Sequence, residues 1–111
     1  MRNLHYIGQM VEVKMDRPLG SKHPKFNFVY EQNYGYIPNT ISGDGEELDA
    51  YVLGVNEPLE SFYGKVIAVI ERLEEDDDKL VVTSADKNFT DEEIENLTYF
   101  QEKWKKHRIL R

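Results

Sequence analysis

Asn33-Tyr34-Gly35-Tyr36-Ile37-Pro38-Asn39-Thr40-Ile41-Ser42-Gly43-Asp44-Gly45-Glu46-Glu47-Leu48-Asp49-Ala50-Tyr51-Val52-Leu53-Gly54 is the stretch on which the fold turns. Residues 34–37 are rich in aromatics and suit an extended chain. Pro38-Asn39 and Ser42-Gly43-Asp44-Gly45 are turn signals. Residues 49–53 then read as a strand that Gly54 ends. Three carboxylates fall at i, i+2 and i+5: Asp44, Glu46 and Asp49, with Glu47 a fourth. In an extended chain Asp44 and Glu46 point one way and Asp49 the other. A bend near Gly45 or Glu46 brings Asp49 round to face them. Without a cation, such a cluster is unfavourable through like-charge repulsion. Hard oxygen donors on a turn suit Mg²⁺, which keeps waters and shares phosphate oxygens with a substrate. The same spacing also describes an ordinary solvated turn, and it does not match an EF-hand loop.

Outward from this stretch, the chain reads mostly as strands. Residues 9–15 alternate, with Val11, Val13 and Met15 on one side. Pro18, Gly20 and Pro24 punctuate a loop. Residues 26–30 are aromatic-rich and compatible with extended chain, and residues 58–64 read as a connection. The run Val66-Ile67-Ala68-Val69-Ile70 within residues 65–73 predicts a strand buried on both faces, and residues 79–83 predict another. The acidic run Glu74-Glu75-Asp76-Asp77-Asp78 then becomes a hairpin tip, usually a solvated feature. Its value to a site depends on whether the tip folds back toward Asp44 and Asp49.

After Thr90 the period changes. Thr90-Asp91-Glu92-Glu93 has the form of a capping box, and Ile94, Leu97, Phe100 and Trp104 share one helical side. These predict a helix over about residues 91–107. The expected fold is mainly β with one C-terminal helix (α+β), a small closed or partly open β-barrel capped by that helix. No repeat and no Gly/Ser linker divides the 111 residues, so one domain over 1–111 is expected.

The net charge of −7 argues against binding nucleic acid, and a chain this acidic needs cations to hold phosphate. The absence of cysteine excludes disulfides, thiolate nucleophiles and Cys-based zinc sites. No apolar run is long enough to cross a bilayer as a helix, and the first residues lack the apolar stretch of a signal peptide. A cytoplasmic protein is expected.

The block Asn33-Tyr34-Gly35-Tyr36-Ile37-Pro38, followed by Ser42-Gly43-Asp44-Gly45-Glu46-Glu47-Leu48-Asp49-Ala50, resembles the core of the family I soluble inorganic pyrophosphatases. Their signature is Asp-x-Asp-x-x-Asp after a Tyr-Gly-Tyr/Phe segment; here it reads Asp-x-Glu-x-x-Asp. The Asp-x-Lys-Leu-Val exit at Asp77 to Val81 and the Trp104-Lys105 pair extend the resemblance. It implies a barrel related to the OB fold, bound Mg²⁺ (Mn²⁺ or another divalent ion being possible), and hydrolysis of pyrophosphate to two phosphates. By position, Asp44, Asp49 and Asp77 match metal-binding aspartates. Glu46 matches the residue proposed to help activate the attacking water, and Tyr34 and Lys105 match phosphate-contacting residues. Glu46 stands where the family has Asp, and Trp104 replaces a tyrosine. The early basic ligands fall in a shortened region, where Arg17, Lys22 or Lys25 are the substitutes, with Arg17 and Lys22 taken as substrate-binding. One of Glu74, Glu75 or Asp76 is expected to join the metal site. His23 is left outside the site.

Lys105 follows Ile94 by eleven residues, about 20° round an ideal helix, and so would border the packed face. The expected partners are pyrophosphate or a related small phosphoanhydride and further copies of the chain. Two alternatives stay open: a phosphohydrolase acting on another phosphoanhydride, favoured by the shortened early region, and a non-catalytic metal- or phosphate-binding barrel, favoured by Glu46.

Overall fold

The computed structural model describes residues 3–40 and 45–111. After a single 3₁₀ turn at Leu4–Tyr6, the elements are β1 (Met10–Arg17), β2 (Asn33–Ile37), β3 (Leu48–Val52), β4 (Ser61–Arg72), β5 (Lys79–Thr83), α1 (Asp91–Glu102) and β6 (His107–Leu110). The strands run β1-β2-β3-β5-β4-β6, and β1 also pairs with β4, so five of them close into a barrel. The β3–β5 pair is parallel and the others are antiparallel. The expected OB-like barrel with one helix is present.

Closure depends on the length of β4. Its first residues, Ser61 to Lys65, pair with β1. Its middle pairs with β5, and its last four residues pair with β6. Residues 61–64, expected as connection, are therefore strand. Their local pattern hides this because only Gly64 among them is buried. No side chain fits at Gly64: a Cβ would lie 2.5 Å from the Thr83 carbonyl oxygen.

The two faces of the barrel wall carry different cores, as the period-2 pleat requires. Val11, Val13, Leu48, Ala50, Val52, Leu80 and Val82 fill the interior. Tyr34, Tyr51, Ile70 and Val81 point outward, where Ile94 and Phe100 of α1 cover them. The bulge between Val66 and Ala68 shifts the register of β4, so that Ile67, Ala68 and Ile70 join the outer cluster while Val66 and Val69 stay inside. Asp49 and Lys79 alternate with interior residues, so they too lie on the outer face beside the helix.

The N-terminus of α1 forms as predicted. Thr90 accepts from the Glu93 amide, and the Glu93 side chain accepts from the Thr90 amide. The helix stops at Glu102, five residues before the predicted end, and residues 107–110 form β6 against the edge of β4. Four residues are too few for a strand period to show, and the exposed edge of β4 supplies the pairing. Lys105 consequently lies beyond the helix, and Trp104 is 58% exposed rather than packed. Residues 26–30 are not a strand. They form one limb of a small flap closed by the Lys22–Val29 bridge and by bonds from the Tyr30 amide to Ser21 and from the His23 amide to Phe28.

Candidate active site

The strand pairing itself assembles the site. Asp49 on β3 stands directly opposite Lys79 on β5. The Lys79 ammonium donates to Asp49 Oδ2 at 2.6 Å and to Asp77 at 2.9 and 3.0 Å. Lys79 is 3% exposed, so this is a nearly dry cation holding two carboxylates. Asp49 Oδ2 also accepts from the Tyr34 hydroxyl at 2.9 Å. Burial and the Asp49 charge hold the Tyr34 phenol well above its ordinary pKa, so Tyr34 acts only as a donor here.

Tyr34, Asp49 and Lys79 form one wall of a polar cavity of about 270 Å³, completed by Asp16, Arg17, His23, Tyr30, Arg72 and Gln101. Asp16 comes from the outward face near the end of β1. Burial raises its carboxyl above the ordinary value; Arg17 pulls it down, and the neighbouring Asp49 pushes it further up. The cavity thus sets two carboxylates near one another among three cations.

Arg72 is fixed from behind. Its Nε and Nη2 donate to Glu102 at 3.0 and 2.8 Å, and Nη1 donates to Asp77 at 3.3 Å. Glu102 is fully buried and also accepts from the Tyr51 hydroxyl at 2.6 Å. Gln101 Nε2 donates to Tyr51 and Gln101 Oε1 accepts from Tyr30, at 2.7 and 2.6 Å. Burial works against the ionised form of Glu102, but the Arg72 bonds and charge and the Tyr51 hydroxyl prevail and hold it below the glutamate range. The chain of bonds runs from the outer core to the cavity wall.

Of the residues singled out in the sequence, the structure brings Asp49, Tyr34 and Arg17 to the cavity and places Asp77 behind Lys79. The acidic tip does fold back, through Asp77 and Lys79, toward Asp49. Glu75 is the member of that run that meets cations, pairing with Lys105 and lying 3.5 Å from Arg72. Lys105 itself is on the far side of Arg72 and lines two other cavities. Lys22 is exposed on the flap and is not in the polar cavity's wall. Glu46 is exposed beside Gly45, whose φ of 86° makes the anticipated bend. Asp44 lies outside the described residues. Asp16, Lys79 and Arg72 were not among the candidate residues, and His23, left outside the site, lines the cavity. Lys79 stood within the Asp-x-Lys-Leu-Val exit without a role of its own, and Arg72 was signalled only as a charge at the end of an apolar strand; Asp16 had no signal beyond its alternation with Met15.

The sequence profile of the inorganic pyrophosphatases matches residues 8–109. The chain belongs to the inorganic pyrophosphatase family. It is 35% identical over 97 residues to soluble inorganic pyrophosphatase 2 of Chlamydomonas reinhardtii, covering 76% of this chain and 50% of that protein. It is 32% identical over 87 residues to the inorganic pyrophosphatase of Saccharolobus solfataricus, covering 77% and 48%. It spans about half the length of these curated relatives. Among solved structures, the inorganic pyrophosphatase of Neisseria gonorrhoeae superposes with a TM-score of 0.65 at 25% identity, over 84% of this chain and 72% of that one.

An inorganic pyrophosphatase is expected to need a divalent metal. Among the described residues no three His, Asp or Glu side chains gather into a cage. Asp16 and Asp49 nevertheless suit the way Mg²⁺ is held beside phosphate, by one or two carboxylates with waters and substrate oxygens completing the shell. Asp77 is turned instead toward Lys79 and Arg72.

Proposed function

We propose that this chain hydrolyses inorganic pyrophosphate to two phosphates with a divalent metal, Mg²⁺ foremost. The observation that carries the reading is that Asp16 and Asp49 line one cavity with Arg17, Arg72 and Lys79, in a chain of this family. The metal supplies charge neutralisation and a more acidic bound water. Asp16 and Asp49 would hold it, with Asp44 the further ligand that the family pattern indicates. Arg17 and Arg72 would receive the outer phosphate oxygens. Water adds to one phosphorus as the bridging P–O bond breaks, and the water's proton passes to a carboxylate, a role we give to Glu46 on the family pattern. Tyr34 and Lys79 keep Asp49 in place. We assign Asp77, expected as a metal ligand, to holding Lys79 and Arg72, and give Lys22 and Lys105, expected as phosphate contacts but outside the polar cavity's wall, no part in the step.

We place the protein in the cytoplasm on its family membership. We also propose that it acts as a homo-oligomer, with Met10 and Tyr63, exposed near one another on the paired strands β1 and β4, as a candidate contact. Among the described residues, no helix is long and apolar enough to cross a membrane.

The test is phosphate release from pyrophosphate with Mg²⁺, wild type against Asp49→Asn. A loss of about 100-fold is expected, the scale of a misplaced reacting group. If folded wild type at micromolar concentration releases no phosphate with Mg²⁺, Mn²⁺ or Co²⁺, the hydrolytic reading is wrong. A larger phosphoanhydride is a second reading, favoured by the aromatic cavity that adjoins the polar one.

A further inference from the structure

Beside the polar cavity lies a second one of about 560 Å³, walled by His23, Phe26, Phe28 and Trp104. The two share His23, Arg72 and Gln101, so they form one continuous surface, aromatic at one end and charged at the other. The aromatic end is open to solvent: Phe26 and Trp104 are 61% and 58% exposed. Their rings lie within 27° of parallel with centroids 6.3 Å apart, and Phe28 approaches Trp104 to 5.4 Å. His23 holds the flap in shape, its Nδ1 accepting from the amides of Lys25 and Phe26. Nδ1 being the acceptor, Nε2 carries the proton. Burial, Arg17 and Lys25 all lower the imidazole pKa, so His23 is a neutral aromatic donor.

Pyrophosphate alone would touch none of these rings. A purely apolar partner would have no use for Arg72 and Lys105 on the same wall. A ligand with a flat aromatic group joined to a phosphate chain uses both ends. The Asn27 amide, also on the wall, offers a donor and an acceptor to the edge of a base, as Asn does toward adenine. The volume is that of a site for one small molecule.

We propose that the aromatic cavity seats the base of a purine nucleotide whose phosphates enter the polar cavity beside it. This rests on the phosphate-handling reading of that polar cavity and names a substrate class for it, a nucleoside diphosphate or triphosphate. Base stacking on aromatic side chains is sequence-tolerant in origin, so selectivity for purine falls to Asn27 and to ring area.

Trp104 is the one tryptophan in the chain, and it reports on the cavity directly. Titration of the full chain with ADP and Mg²⁺ is expected to change its emission saturably. Adenosine, without phosphates, is expected to bind at least about 10-fold more weakly. By calorimetry, Phe26→Leu is expected to weaken ADP about 10-fold more than it weakens pyrophosphate, the loss of one stacking face. Pyrophosphate turnover without any response of Trp104 to millimolar ADP would overturn the inference and leave the pyrophosphatase reading standing. A saturable ADP response in protein that releases no phosphate from pyrophosphate would support the base site and overturn that reading. Equal affinity for adenosine and ADP would overturn the link to the polar cavity. Trp104 shielded from iodide before any ligand is added would also overturn the inference, a second copy then covering the rings.

Discussion

Glu102→Gln removes one charge from a nearly dry ion pair, Arg72–Glu102, and nearly nothing of its shape. Glu102 accepts three hydrogen bonds, two from Arg72 and one from Tyr51. A glutamine carbonyl in the Oε2 position keeps Arg72 Nη2 and Tyr51, but its amide group then faces the Arg72 Nε–H, donor against donor. Arg72, 9% exposed, keeps its charge with no buried counter-charge at Nε and Nη2. Breaking a buried pair from one side costs about 3–5 kcal/mol. Because Asp77 still meets Nη1, the low end, about 3 kcal/mol, applies. With about 2.1 cal/mol/K of unfolding entropy per residue over 111 residues, that lowers the melting temperature by about 13 °C. Urea denaturation followed by circular dichroism measures the loss directly. The pair also has an acid limit. The folded Glu102 pKa lies below the ordinary value of 4.5, so its stabilisation is complete above that pH and is lost as pH falls through the folded value. Glu102→Gln should abolish this part of the acid transition. The double variant Arg72→Met with Glu102→Leu is expected to recover most of the stability, since a buried pair is often no better than apolar packing. It should still impair phosphate binding, because Arg72 faces the polar cavity. A Glu102→Gln protein within about 1 kcal/mol of wild type, or a double variant as unstable as the single, would refute the account.

Three further outcomes follow from local geometry. Gly35→Ala puts a Cβ 2.0 Å from the Lys14 carbonyl oxygen, backbone that cannot yield; a loss of at least about 3 kcal/mol, read as insoluble or unfolded protein on expression, is expected. Lys79→Met leaves Asp49 and Asp77 without their shared ammonium, and because those side chains are 31% and 19% exposed the cost is about 2 kcal/mol; Mg²⁺ should raise the melting temperature of this variant more than that of wild type. Burial depresses the His107 pKa, but its bonds to the Lys105 carbonyl and to Glu95 outweigh this and raise it above 6.5. Its contribution is therefore complete below pH 6.5 and lost as pH rises through the folded value. It amounts to no more than about 1 kcal/mol with a partner 41% exposed, and His107→Gln should flatten the dependence in urea midpoints between pH 6 and 8.

From the residues alone came every element whose signal is local. The alternation at Val11, Val13 and Met15, the apolar run from Val66 to Ile70 and the Thr90–Glu93 capping box each determined an element, because side-chain period and backbone capping act within a few residues. The bend at Gly45 was legible in the same way. What only the tertiary structure decided is everything that depends on who stands opposite whom. Residues 61–64 are strand because β1 lies beside them, and His107 to Leu110 because the edge of β4 is open. Asp16 on β1 reaches one cavity with Arg72 and Lys79, which flank the β4–β5 connection far along the chain, through a register and a bulge that no local pattern encodes. The aromatic wall was legible only as Phe26, Phe28 and Trp104 in isolation. Their meeting depends on a flap and a helix exit that lie far apart in sequence, and long-range contacts of that kind are determined by packing of the whole chain.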